Sequence, residues 1–340
     1  MVAWRITPQG HGHDKKTFVL YYVAGLFLPL FFPTLNAQAQ TIWPTKPVRL
    51  IVPIAAGGVT DMIVRNAATE ISIRLGQPVV IDNRPGANGM IGAEACARAT
   101  ADGYTLCVVN TGITSINPLV YENHPFDPAR ALTPIVNLYY LTGAVAVPNS
   151  LPAGTVAELR ALATNKPKTI NFGTIGTGSY PEIFLTWLNR EWKTQMPGIP
   201  YKGGGPVAIA MLSGEVQVSA AALGNFLGQI QGGQLRALAV SSNKRYRTLP
   251  QVATYNEAGI GDFRGHLWWG LVGPDGIPNA IIARLNTEFN WLFAEPRFIE
   301  FLENQAAEPA TGTVEAFRAY LKADRDWTAT VVKPAKISAR

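Results

Sequence analysis

Apolar runs alternate with helical stripes along this chain, and the stretch from Val48 to Asp61 sets the pattern. Val48-Arg-Leu-Ile-Val52 is apolar and β-branched, which predicts a buried parallel strand stopped by Pro53. Gly57 and Gly58 permit a tight turn with bare backbone N–H groups facing outward. Beyond Thr60, the residues Met62, Ile63, Ala67, Ile71 and Leu75 recur at helical spacing and predict one buried face. A strand that feeds a glycine turn and then a helix N-terminus suits an anion, because free N–H groups and the helix dipole converge there. By itself the stretch is equally an ordinary βα turn.

The alternation continues. Gln77–Asp82 predicts a second strand, Asn83–Gly86 a turn, Gly89 to Ala99 a helix and Tyr104–Val109 a third strand. Residues 117–134 hold four prolines and read as an irregular connection. Val136 to Val147 is a long extended segment suited to crossing between lobes. Past Pro148 the series restarts with a helix over Thr155–Ala163, where Thr155 and Glu158 have capping-box spacing. A strand at Thr169–Phe172 then opens into Gly173-Thr-Ile-Gly-Thr-Gly-Ser179, followed by a helix carrying Phe184, Trp187 and Leu188. Ser179 is the expected N-cap of that helix. Ile199–Pro206 joins a short strand to another helix, and Val216–Ala220 and Leu235–Val240 are further strands. Gly265 to Gly273 returns the chain to the first lobe, and Ala280–Phe293, Pro296–Gln305 and Val314–Val331 read as helices.

Alternating strands and helices imply parallel α/β sheets. The pattern therefore predicts two α/β lobes, each opening with strand, glycine turn and helix. Lobe 1 is assigned to 40–142 plus 266–340 and lobe 2 to 143–265. Ligands of such sheets bind in the crevice at the carboxyl ends of strands, so the two turns would address one molecule from opposite sides.

Composition narrows the function. The N-terminus runs from Lys15 and Lys16 through an apolar stretch, Phe18 to Phe32, to Ala37-Gln-Ala39, the order of an export signal cleaved after Ala39. A retained membrane anchor is the alternative. Of the formal charge of +6, the leader holds +2 (Arg5, Lys15 and Lys16 against Asp14), which leaves a mild, scattered +4. That spread argues against nucleic-acid binding. Cys96 and Cys107 sit among apolar neighbours and act either as small hydrophobes or, in an exported chain, as a disulfide. The four histidines are too dispersed for a metal site.

Candidate chemistry is sparse. Gly173–Ser179 lacks the Gly-Lys-Ser/Thr end of a P-loop and the Gly-x-Gly-x-x-Gly order of a dinucleotide loop. As an anion cradle it is better equipped, since Thr174, Thr177 and Ser179 add hydroxyls to its N–H groups. No Gly-x-Ser-x-Gly elbow is present, and neither cysteine has a nearby histidine in sequence, which argues against an enzyme. Trp268 and Trp269 read as structural, wedged where the lobes meet, and Arg49 as a sheet-edge residue.

The motifs together resemble the Bug family, the TctC-like extracytoplasmic receptors of tripartite tricarboxylate transporters. Those that carry the resemblance are Trp43-Pro-Thr-Lys-Pro-Val-Arg-Leu-Ile-Val-Pro53, Gly57-Gly-Val-Thr-Asp61, Leu75-Gly-Gln-Pro-Val-Val-Ile-Asp-Asn-Arg-Pro-Gly-Ala-Asn-Gly89, Asp102-Gly-Tyr-Thr-Leu106, Pro200-Tyr-Lys-Gly203 and Leu235-Arg-Ala-Leu-Ala-Val240. The resemblance implies a periplasmic, two-lobed "Venus flytrap" of the type II binding-protein class, without catalysis or cofactor. Such a receptor is expected to act as a monomer and to hand an organic carboxylate to permease subunits. By position, the ligand contacts implied are Ile54, Ala56, Gly57, Gly58, Thr60 and Asp61 in the first turn and Thr174, Gly176, Thr177, Gly178 and Ser179 in the second. Asn110, Thr111, Tyr201, Lys202, Gly203 and Ala222 would surround the distal part of the ligand. The alternatives are an orphan receptor that presents its ligand to a sensor protein, and a carboxylate-processing enzyme.

Departures from the family pattern add expectations. Ala56 replaces a usual proline, Ile54 an aromatic residue, Glu182 a histidine and Ala210 an aspartate, and Ala220–Ala222 replaces a segment that often contains Phe-Asp. Small side chains at Ala210 and Ala220–Ala222 would enlarge the pocket for a bulkier or more apolar carboxylate. The missing acid would disfavour an amino acid.

Overall fold

The run at 48–52 forms β1 (Val48–Val52), with only Arg49 partly exposed. The structure, a computed structural model, describes residues 43–261, 263, 265–335 and 337, so the expected export signal lies outside the described residues. Helix α1 (Val59–Leu75) buries Ile63, Ala67, Ile71 and Leu75, while Gly76 ends it in the left-handed conformation (φ 68°). Met62 is 44% exposed, against expectation, because it falls one position off the buried stripe. Next come β2 (Val79–Asn83), α2 (Met90–Ala97) and β3 (Thr105–Val109). Cys96 on α2 and Cys107 on β3 are joined by a disulfide, so the bonded reading stands. Closing a loop across a separation of 11 residues restricts the unfolded chain by about 3 kcal/mol.

The stretch 117–134 is irregular only in its middle, over residues 121–127. It contains α3 (Asn117–Val120) and α4 (Pro128–Ala131), each with a proline in its first turn, and then enters β4 (Leu132–Leu141). Proline is well suited to a helix start, where no N–H is needed, and the Asp127 side chain caps α4 by accepting from the Ala129 N–H.

A second series follows: β5 (Gly143–Pro148), α5 (Val156–Asn165), β6 (Phe172–Thr174), α6 (Tyr180–Trp192), β7 (Gly198–Pro200) and α7 (Gly204–Leu212). It ends with β8 (Val218–Ala222), α8 (Leu227–Gln231), β9 (Leu235–Val240) and β10 (Ala253–Thr254). The chain returns through β11 (Leu267–Pro274), α9 (Asn279–Ala294), α10 (Pro296–Asn304), β12 (Ala307–Pro309) and α11 (Val314–Ala335). Both halves of the Thr155–Glu158 capping box are made on α5.

Two six-stranded sheets result, with orders β12-β4-β11-β3-β1-β2 and β10-β9-β5-β8-β6-β7. In the first, β1 runs parallel to β2 and β3, and β11 lies antiparallel between β3 and β4. In the second, β6 runs parallel to β7 and β8, and β5 lies antiparallel between β8 and β9. The same five-strand arrangement is thus built twice, and only the edge strands differ, β12 lying antiparallel to β4 and β10 parallel to β9; the result is a two-lobed α/β fold in which β1 and β6 are equivalent. Arg49 is not at a sheet edge, because β2 and β3 flank β1. Its guanidinium reaches Asp82 on β2 at 2.6 Å.

The lobe 2 core centres on Phe184, whose ring meets Phe263 edge-on at 4.8 Å and lies 5.4 Å from Tyr255. Such pairs add about 0.5–1.5 kcal/mol each beyond the area they bury. Helix α11 serves both lobes. Phe317 and Leu321 pack with Ile51 and Trp268 of lobe 1, whereas Val331 and Val332 pack with Phe184 and Trp187 of lobe 2.

Candidate functional site

Every residue that the sequence assigns to the ligand lies at or just past the carboxyl end of a parallel strand. Residues 54–61 follow β1, 110–111 follow β3, 174–179 begin in β6, 201–203 follow β7, and Ala222 ends β8. Strand ends of this kind leave backbone N–H groups unused by the ladder and aim helix N-termini at the same crevice.

The first turn is held from within. Asp61, 3% exposed, accepts the Gly57 N–H at 2.9 Å and Arg65 Nε at 2.9 Å on Oδ2, and Asn83 Nδ2 at 2.9 Å on Oδ1. Asn83 also donates to the Ile54 carbonyl at 3.1 Å. Burial pushes the Asp61 carboxyl up, but Arg65, the Gly57 N–H and Asn83 outweigh it and hold it below the ordinary range. Asp61 therefore shapes the turn. Ala56, Gly57 and Gly58 are exposed, Ile54 is half-buried and Thr60 is buried. Gly57 has φ 91° with open space where a side chain would start, so its backbone conformation is what requires glycine.

The second turn repeats the device. Glu182 Oε2 accepts the Gly178 N–H at 2.6 Å, again four residues back from the first turn of a helix. Here no cation shares the carboxylate among the described residues, and burial raises the Glu182 carboxyl despite the Gly178 N–H. Ser179 occupies the N-cap of α6, but its side chain makes no capping bond. Among the described residues the Ser179 hydroxyl is buried without a hydrogen-bond partner; Pro181, two residues on, offers it no N–H to accept. Gly176 has φ 101°, Thr177 is exposed and Thr174 is buried. The Thr174 carbonyl accepts the Tyr201 N–H at 2.8 Å, which brings 174–179 together with the 201–203 loop. In that loop Lys202 is exposed, Gly203 has φ 134°, and the Tyr201 hydroxyl is buried.

The lobes touch beside these turns. Asn88 Nδ2 donates to the Gly178 carbonyl at 3.2 Å and to Asn117 Oδ1 at 2.9 Å. Gly178 also lies so close to Ile116 that a methyl group there would sit 3.1 Å from it. On the other side, Gly224 closes against Val59, and Ala222 packs on the lobe 1 cluster that includes Ile54 and Val59. The segment 83–88 thus ties the site together, with Asn83 holding the first turn and Asn88 meeting the second. Neither asparagine was singled out from sequence. The Asn88-Gly89 pair carried a usable signal, since both residues are left-handed (φ 50° and 85°).

One expectation needs correction. Ala210 packs with Val207, Met211 and Phe226 in the lobe 2 core, so it does not widen a pocket; α7 turns that face inward at helical spacing. The Thr111 hydroxyl is already committed to Asp324, at 2.8 Å. Asn110 Oδ1 accepts the Ile113 N–H at 3.2 Å and starts the helical turn after β3. Trp268 is fully buried in the lobe 1 core, donating to Asp324, and Trp269 is 7% exposed; both are structural. Among the described residues, no three His, Cys, Asp or Glu side chains gather as metal ligands.

The family model described as "Tripartite tricarboxylate transporter family receptor" matches residues 63–333. BugT of Bordetella pertussis is 29% identical over 92% of this chain and 96% of its own length. Among solved structures, R. palustris Rpa4515 with adipate superposes with a TM-score of 0.81 at 31% identity, covering 87% of this chain and 99% of that one. MatC from Rhodopseudomonas palustris with bound malate gives a TM-score of 0.77 at 26% identity, covering 85% and 99%.

Proposed function

The chain belongs to the tripartite tricarboxylate transporter receptor family, and from that premise we propose that it captures an organic carboxylate between its lobes and delivers it to a membrane permease. One observation carries the reading. Equivalent strands in the two lobes end in glycine turns with the same internal cap, Gly57 to Asp61 and Gly178 to Glu182. With their shape fixed by the caps, the turns keep other neutral donors, such as the Gly58 N–H and the hydroxyls of Thr177 and Ser179, for an anion. Hydrogen bonds from neutral donors to a carboxylate are charge-assisted and strong in a dry cleft. Adipate and malate, held by two relatives, are dicarboxylates, which makes that class the first to try. Lobe 1 (40–142 plus 266–340) and lobe 2 (143–265) would move as bodies about the crossings near Thr142 and Gly265. The receptor would work in the periplasm, as a monomer and without a cofactor, once residues 1–39 are removed.

Thermal unfolding of the chain from Gln40 onward, against mono-, di- and tricarboxylates and amino acids, tests the reading. A ligand at a hundred times its dissociation constant adds about 2.7 kcal/mol of stability. A selective upward shift with one carboxylate class is the expected result. A folded protein that no carboxylate stabilises would contradict it.

A further inference from the structure

We propose that Asp324 is a positioning residue for the cleft, fixing the 110–116 segment to a helix seated on both lobes; the proposal rests on the receptor reading above. Asp324 lies on α11 between the part packed on lobe 1 and the part packed on lobe 2. It is 8% exposed. Its Oδ2 accepts Thr111 Oγ1 at 2.8 Å and Ser115 Oγ, and its Oδ1 accepts the Trp268 indole N–H at 3.1 Å. Thr111 and Ser115 belong to the turn after β3, and Trp268 to the strand that returns from lobe 2. One buried carboxylate therefore joins a cleft loop, an inter-lobe strand and a helix shared by the lobes.

An apolar residue of similar size would ordinarily suit such a place at least as well. What the carboxylate supplies is register. Thr111 and Ser115 are one helical turn apart, and both hydroxyls reach the same oxygen only when the segment is wound. That winding sets Gly112, where a methyl group would come within 3.0 Å of Asn88 Nδ2, and Asn88 is the residue that meets Gly178 of lobe 2. No lysine or arginine pairs with Asp324 among the described residues. The titratable groups that face it are His266 ahead of β11, Tyr140 on β4 and Tyr320 on α11. Burial raises its carboxyl, and Ser115, Thr111, Trp268 and His266 draw it partly back.

The test titrates the carboxylate that best stabilises the wild type, adipate being tried first, into the wild type, Asp324→Asn, Thr111→Val, Ser115→Ala and the double variant Asp324→Asn/Thr111→Val. Asp324→Asn should weaken binding roughly three- to thirtyfold, each hydroxyl variant should weaken it less, and the double variant should bind no worse than Asp324→Asn. On acidification, wild-type affinity should fall more steeply than that of Asp324→Asn, because protonation removes the charge that the three donors serve. Wild-type affinity and pH profile in Asp324→Asn, with only the melting temperature lowered, would overturn the proposal. Should that variant not fold, unchanged affinity in both Thr111→Val and Ser115→Ala would overturn it. A wild type that binds no carboxylate would count against the receptor reading instead.

Discussion

The two glycine turns share a plan and differ in electrostatics. Each follows an equivalent strand, and each has a glycine N–H held by a carboxylate in the first turn of the next helix. In lobe 1 that carboxylate is also bound by Arg65 and Asn83 and stays below the ordinary range. In lobe 2 no cation among the described residues shares it, and burial raises it. Geometry alone shapes the turn; the partners of the cap decide whether the turn also brings negative charge to an anion site. Lobe 1 is therefore the stiffer and more neutral half of the cradle, and lobe 2 the softer half.

Asp61→Asn should break the comparison most strongly. An amide cannot accept from three donors, one of them the Arg65 guanidinium, and the loss should reach about 2 kcal/mol, read as a lower denaturation midpoint. The pH dependence has a definite sign. Because the folded carboxyl is depressed, its contribution is present above the unfolded value and is lost as pH falls through the folded one. The variant should lack that acid-sensitive component.

Alanine at the two glycines sharpens the contrast. Gly57→Ala meets open space and should cost about 1 kcal/mol of backbone strain. Gly178→Ala carries similar strain (φ 75°) and also crowds Ile116 and Asn88 across the lobe contact. It should weaken carboxylate binding as well as stability, whereas Gly57→Ala should act mainly on stability; melting curves and titrations on both proteins distinguish the two.

Glu182→Gln is the milder change. Glutamine still accepts the Gly178 N–H, so unfolding at acid pH should match the wild type. The folded Glu182 carboxyl is raised, so ionising it costs stability as pH rises through its folded value; the variant should gain on the wild type over that interval. Removing the charge should also tighten anion binding roughly threefold.

Much of this was legible in the sequence because it is local. The apolar run 48–52, the glycine turns and the Thr155–Glu158 box each lie within a few residues and form as read. Prolines 118 and 128 misled because a proline that starts a helix looks like one that breaks it. Ser179 looked like a side-chain cap because it holds the N-cap position, but Pro181 at the second helical position has no N–H for its hydroxyl to accept. Asp324 was beyond reach: its hydroxyl partners on Thr111 and Ser115 lie 213 and 209 residues away along the chain. The disulfide was half legible, since an exported chain allows the pairing and only the fold sets α2 beside β3.

The most direct test of the claim that the two turns hold one carboxylate is a titration of Ser179→Ala beside the wild type. Among the described residues the hydroxyl is buried without a partner, so its removal should leave the melting temperature nearly unchanged. If it donates to the ligand, affinity should fall about tenfold. Wild-type affinity in Ser179→Ala, with the protein folded and the ligand binding, would contradict the account and remove the second turn from the site.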